Sequence, residues 1–365
     1  MFKNNKLSAD NHSVLLSTVF IILIPIILSI MVRYDFFNRW GFEIYMQIVA
    51  VLIILGNLNI KVLYMLLTIA SLSALHSVFS SSLLGFVSMS ILPIAIIFFN
   101  KGIVSKRQVD MLMLLAFVNL IVSTLQFVTG DFVEDGTRIS GIFNSSLHTA
   151  YFSIFLAAVV SIYAHGIKKY FYLASLLATG ALTGSRAAFI GVFIVLLIFN
   201  TPKLLHLKWY HFLLFILVLV SALMFVGDIR VLSYVPNADA LRLHTYSKFF
   251  LGIFDISSIN SLLFGHGRVF YGATGHRFLG ADAFITESSF VMFLYSFGIL
   301  FGMLMYSSIF IRLFSFSDNI RKSIFYLFVL FMSMLSPFFD SPSILVINMI
   351  LLNAIVNSKK IISNG

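Results

Sequence analysis

Residues 148–201 read HTAYFSIFLAAVVSIYAHGIKKYFYLASLLATGALTGSRAAFIGVFIVLLIFNT. Three apolar runs, 148–164, 170–184 and 186–201, are separated by two short breaks. One holds the basic pair Lys168-Lys169, and the other is the turn Leu182-Thr183-Gly184-Ser185-Arg186. Runs of this length with almost no charge fit the hydrocarbon layer of a bilayer, about 30 Å thick. Lipid offers backbone amides no partner, so each run must be a helix. The same signature recurs outward from this stretch, giving about twelve spans: 14–32, 42–57, 60–78, 83–99, 111–129, 148–164, 170–184, 186–201, 210–227, 287–311, 323–336 and 343–357.

Composition supports this reading along the whole chain. Of 365 residues, 60% are hydrophobic and only 10% charged, where soluble domains carry roughly a quarter charged. Mean hydropathy is +1.01. No low-complexity tract, linker or internal repeat divides the sequence, which therefore reads as one all-α integral membrane domain over 1–365. The first span follows Lys3 and Lys6. After it comes Val32-Arg33-Tyr34-Asp35, with no small-residue cleavage site, so it reads as an uncleaved span. The absence of cysteine excludes disulfides, thiolate chemistry and Cys-ligated metals.

Lys and Arg then orient the spans. With both termini cytoplasmic, the inner segments hold 15 basic residues against three acids, and the outer segments nine against eleven. This satisfies the positive-inside rule, so the formal charge of +10 is an orientation signal and gives no support to nucleic-acid binding. The two faces also differ in kind. Inner basic residues are twelve Lys and three Arg, whereas the outer ones are eight Arg and only Lys248. Orientation needs charge alone. The planar guanidinium, however, grips phosphate or carboxylate with paired hydrogen bonds that an ammonium cannot make.

Ionisable residues are nearly absent inside the spans. His76, His148, Glu43 and Glu287 all sit near helix ends. Ion-coupled carriers place such groups at mid-membrane, so chemistry on the outer face is favoured over transport through the middle. The longest loop, 228–286 between the ninth and tenth spans, faces outward. It carries Arg230, Arg242, His244, His266, Arg268, His276, Arg277 and Asp282, and leads into Glu287. Pro236-Asn237 can start a surface helix reaching Phe254, with Leu243, Tyr246, Phe250 and Ile253 along one face. The His244, His266 and His276 spacing matches no helical ligand pair, so no metal site is expected.

These outer segments resemble the bacterial O-antigen ligase/polymerase superfamily. The resemblance lies in Arg138-Ile-Ser-Gly141-Ile-Phe-Asn144, in Leu182-Thr-Gly-Ser-Arg186-Ala-Ala at a helix start, and in Leu-Leu-Phe-Gly265-His266-Gly267. Thr286-Glu287-Ser-Ser-Phe290 and Tyr295-Ser-Phe-Gly298-Ile complete it. Within the superfamily the chain is most similar to Wzy-type polymerases of O-antigen or capsule repeats. The resemblance implies a GT-C-type glycosyltransferase of the bacterial inner membrane, working at the periplasmic face without metal or cofactor. Donor and acceptor would both be undecaprenyl-diphosphate-linked oligosaccharides, with a chain-length regulator and a flippase as partners. By resemblance Arg186 and Arg242 would hold the diphosphate, with Arg277, Arg268 and Arg138 as further contacts. Glu287 is the first choice of general base, with His276 and His266 as alternatives. Many ligase-like members carry His-Asn where this chain has Glu287-Ser288, which favours polymerase over O-antigen ligase. A lipid-linked sugar flippase or carrier is the competing class.

Orientation is directly testable. Reporter fusions at Ser185 and within 228–286 are expected to read as extracytoplasmic, and fusions at Lys106 and Lys168 as cytoplasmic. A cytoplasmic signal at Ser185 would invert the whole assignment.

Overall fold

The computed structural model describes residues 23–34, 36, 45, 48–49, 51–52, 64, 106–131, 138–143, 145–200, 262–263, 265, 288–315, 317–335 and 342–358. The helices are α1 (Ile24–Arg33), α2 (Lys106–Thr129), α3 (Ser146–Tyr163), α4 (Gly166–Leu182), α5 (Arg186–Asn200), α6 (Ser289–Ser315), α7 (Ile320–Leu335) and α8 (Pro342–Val356). No β-strand occurs among the described residues. Among the described residues, three helices are long and apolar enough to cross a bilayer: Lys106–Thr129, Ser146–Tyr163 and Phe297–Ser315. At 1.5 Å per residue the first two are about 36 and 27 Å long. The chain is an all-α membrane protein. The expected spans 83–99 and 210–227, and most of 42–57, 60–78 and the 228–286 loop, lie outside the described residues.

The helices divide into two compact units. The first comprises Met1–Glu43, Gly102–Tyr234 and Val346–Gly365. Its centre is α3, buried along nearly its whole length and packed on α2, α4 and α5. The α2 helix turns Val109, Leu112, Met113, Ala116, Asn119, Ser123 and Gln126 inward. Leu114, Phe117, Ile121, Leu125 and Val128 face outward. Its outer surface is apolar and its inner stripe partly polar, the reverse of a soluble amphipathic helix. That polarity suits a helix whose surroundings are lipid.

Contacts at the helix ends show how the spans alternate. Asn200 Nδ2 donates to Ser161 Oγ at 3.3 Å, Tyr163 OH to the Ala354 carbonyl at 2.7 Å, and Lys169 Nζ to the Ser161 carbonyl at 2.9 Å. The C-terminal ends of α3, α5 and α8 therefore share one end with the start of α4. At the other end, Tyr34 OH, just past α1, donates to Asp131 Oδ2 just past α2 at 2.8 Å. These pairings are what alternating spans require.

Local signals explain the stops. The α2 helix ends with Gly130 at φ 69°, Asp131 N bonded to Gln126 O at 2.9 Å and Gly130 N to Phe127 O at 3.3 Å. This Schellman pattern satisfies two terminal carbonyls. Ser145 caps α3 by accepting from Leu147 N at 3.2 Å. Where α4 meets α5, a Cβ on Gly180 would stand 3.0 Å from the Phe189 backbone nitrogen, so a hydrogen lets the two helices touch.

The second unit comprises Ile44–Lys101 and Val235–Leu345. It departs from the expected single span 287–311. Within α6, Gly298 has φ 74° and ψ 174°, and the chain reverses there. A Cβ on Gly302 would lie 2.6 Å from Phe293 O, and the Phe290 and Tyr306 rings are 5.1 Å apart. Residues eight before and eight after Gly298 are thus side by side, and α6 is a helical hairpin. Its first arm, 289–297, is only about 14 Å long, too short to cross. Ser288 caps this arm, accepting from Val291 N at 3.2 Å, and its own hydroxyl donates to Met334 O of α7 at 2.5 Å. Tyr306 OH shares a 2.5 Å hydrogen bond with Ser333 Oγ, fixing the second arm to α7. Hydropathy reads both arms as one run because both are apolar; only the glycine's backbone angle divides them.

The tip of the hairpin is closed by another segment. A Cβ on Gly298 would lie 2.2 Å from Leu263 O and 2.6 Å from Gly265 N. Gly298→Ala is expected to cost about 2–4 kcal/mol, combining a left-handed angle with backbone overlap. Gly166→Ala, also at positive φ but with nothing within 4 Å, should cost about 1–2 kcal/mol. Thermal unfolding of the detergent-solubilised protein compares the two, and equal losses would remove the docking of 263–265 from the explanation.

Candidate functional site

In the first unit, the segment Arg138-Ile-Ser-Gly-Ile-Phe143 enters the helix group as non-helical backbone. Ile139 and Ser140 are fully buried, and Ile142 and Phe143 nearly so. Such backbone is tolerated at membrane depth only where protein satisfies its polar groups. Here side chains do so. Gln126 Nε2 donates to Gly141 O and Gln126 Oε1 accepts from Gly141 N, both at 2.9 Å. A side-chain amide thereby imitates one rung of a β-ladder. Asn119 Oδ1 accepts from Ile142 N at 3.0 Å, and the Thr149 hydroxyl donates to Ser140 O. Phe143 packs on Phe152 of α3, with ring centroids 5.1 Å apart.

Gly141 is required where it stands. Its φ is 63°, and an added Cβ would meet Asn119 Oδ1 at 2.3 Å, Ser123 Oγ at 3.1 Å and Thr149 Oγ1 at 3.2 Å. Around it gathers a polar cluster with no solvent exposure: Asn119, Ser123, Ser140 and Thr149. Arg138 stands at the half-buried entry to this segment, and His148 is buried in the first turn of α3.

The second expected element is the turn before α5. Gly184 has φ 64°, and its N–H donates to Ala181 O at 3.2 Å. Ser185 then caps α5, its Oγ accepting from Ala188 N at 3.3 Å and its carbonyl from Phe189 N at 3.1 Å. Arg186 is the first residue of α5, as the sequence implies; its side chain lies outside the described atoms. Because Ser161 and Asn200 are bonded, α3 and α5 run parallel from that end. Their starts, Ser146 and Arg186, lie about 22 and 21 Å back along their helices. Two serine-capped helix N-termini, the Arg138 segment and the Arg186 backbone therefore occupy the same end of the unit. Helix N-termini and guanidinium groups both favour anions, so this end is suited to a phosphate or carboxylate ligand.

In the second unit, Gly265 (φ 79°) of Gly265-His266-Gly267 sits against the Gly298 tip, bringing together two segments more than thirty residues apart. Glu287 directly precedes the cap Ser288, and His266 directly follows Gly265. Both lie outside the described residues, as do Arg242, Arg268, His276 and Arg277. Among the described residues no three His, Asp or Glu side chains stand close enough to share a metal ion.

The polar stripe of α2 is not anticipated by the hydropathy reading, which treats 111–129 as a plain span. Its signal was present: Asn119, Ser123 and Gln126 follow at intervals of four and three, one face of a helix. No family model matches this chain, and no curated protein or solved structure is detectably similar to it.

Gly141→Ala should lower stability by about 2–4 kcal/mol. Adding Asn119→Ala, which removes the overlapping oxygen but leaves the strained angle, should return only part of the loss. Full recovery in the double variant, read by thermal unfolding, would mean the backbone angle contributes nothing.

Proposed function

We propose that this chain is a metal-independent membrane glycosyltransferase that polymerises undecaprenyl-diphosphate-linked repeat units into O-antigen or a related surface polysaccharide. The reading places it in a bacterial inner membrane, with the active end at the periplasmic face. The observation that carries it is the shared end of the Arg138 segment and the Arg186 helix start, two of the motifs on which the resemblance rests. The contact of Gly265 with Gly298, two further motifs, is a second support.

The chemistry follows from the bonds involved. As the bond between the anomeric carbon and the diphosphate oxygen breaks, positive charge grows on the sugar and negative charge on the departing undecaprenyl diphosphate. Arg186 and Arg242, aided by Arg138, Arg268 and Arg277, stabilise that leaving charge. Losing one such donor commonly costs about 10²–10³ in rate. The acceptor hydroxyl of the next lipid-linked unit forms the new glycosidic bond and gives up its proton to Glu287. Proton transfer of this kind is worth roughly 10²–10⁴. His276 and His266 are the alternative bases.

Complementation of a deletion strain, read as the ladder of surface glycan lengths, tests the proposal. Arg186→Ala should leave single-repeat glycan in place of long chains, and Glu287→Gln, which preserves size, should do the same. Normal long chains with Arg186→Ala would remove that residue from the mechanism. Full activity with Glu287→Gln would move the base to a histidine. Loss of all repeats from the core in the deletion strain would indicate a ligase, and precursor trapped on the cytoplasmic side a flippase.

A further inference from the structure

Gln126 has no place in the chemistry above, yet its side chain makes a paired contact to a single buried residue. Both polar atoms of its amide are committed to one residue, Gly141, at 2.9 Å each. It is 5% exposed and lies in the last turn of α2, where its own carbonyl also accepts from Asp131 N in the helix stop. Helix end and loop are therefore joined through a single residue. From Gly141 to Arg138 is three residues, at most about 10 Å of chain. That short link is itself held: Ile139 is fully buried, the Ser140 carbonyl accepts from Thr149, and Ile142 N is bonded to Asn119. An arginine on such a segment has little backbone freedom left. A clamp of this kind holds a guanidinium where a ligand will arrive, in place of ordering it on binding.

We infer that Gln126 is a positioning residue for Arg138: its paired hydrogen bonds to Gly141 set where the Arg138 guanidinium stands at the anion-favouring end of the first unit. The inference rests on the reading that this end grips a lipid-linked diphosphate. It extends that reading to a residue that touches no substrate and belongs to none of the sequence motifs that suggested the function.

The chain has no cysteine, so Arg138→Cys introduces a single thiol for a spin label. In full-length protein in lipid nanodiscs, the label at position 138 should give a broad, immobilised spectrum with Gln126 present. Gln126→Leu, similar in size but without the amide, should give a narrow, mobile one. Separately, undecaprenyl diphosphate is titrated into protein that retains Arg138. Gln126→Leu should weaken its binding about tenfold, because the released segment must then be ordered on binding. In an Arg138→Ala background the same change should have no further effect. An unchanged spectrum overturns the clamp. A binding loss of the same size with and without Arg138 overturns the link to Arg138, because it marks a general structural role. Unaltered binding despite a mobile label overturns it equally. If Gln126→Leu fails to fold, Gln126→Asn is read instead. It keeps the neutral amide but withdraws it by one methylene from Gly141, and should show a smaller loss with the same dependence on Arg138. Wild-type protein that binds no undecaprenyl diphosphate overturns the functional reading, while the spectra still decide whether Gln126 holds the segment.

Discussion

Hydrocarbon does not hydrogen-bond, and each backbone N–H or C=O left unpaired within it costs several kcal/mol. An uninterrupted helix meets that requirement without help. Where this chain abandons the helix inside its apolar layers, other groups must take over, and the architecture is organised around those places. The 138–143 segment is one. The Gly141 N–H and carbonyl, the Ile142 N–H and the Ser140 carbonyl are met by Gln126, Asn119 and Thr149, each from a helix that flanks it. The reversal at Gly298 is another, with Ser288 capping the short arm and binding the Met334 carbonyl of the neighbouring helix.

The same requirement accounts for the odd polarity of α2. A helix with lipid on its outer side gains little from polar residues there, and Asn119, Ser123 and Gln126 turn inward toward the segment that needs them. Asn119 and Gln126 follow this rule directly. Because the polar stripe and the inserted segment depend on each other, a change in either exposes unpaired groups in the other. Gly141 completes the arrangement, since any larger residue would occupy the space of the Asn119 oxygen.

The two arginine-bearing segments of the proposed site stand where these constraints meet. The Arg138 segment leaves the clamp at one end of the first unit, and α5 begins with Arg186 at that same end. Neither arginine relies on a long mobile loop for its backbone position. One follows a serine cap and a left-handed glycine, and the other precedes a segment tied down by three side chains.

Helices α2 to α5, α7 and α8 fall on expected spans, with ends within about five residues. Apolar run length and Lys/Arg placement report on transfer from water to lipid, a property that each residue carries independently of its neighbours. Arg186 at a helix start was legible for a similar reason, because Gly184 and Ser185 are local stop and start signals. The break at Gly298, the contact of Gly265 with it and the Gln126 clamp were not legible. Each depends on which distant backbone comes within 3 Å of a glycine or an amide, and hydropathy is blind to that. The chain's composition determined that it enters a membrane. Packing alone decided that one apolar run folds back on itself and that one loop is drawn inside, because only the assembled helices supply the hydrogen-bond partners that make either possible.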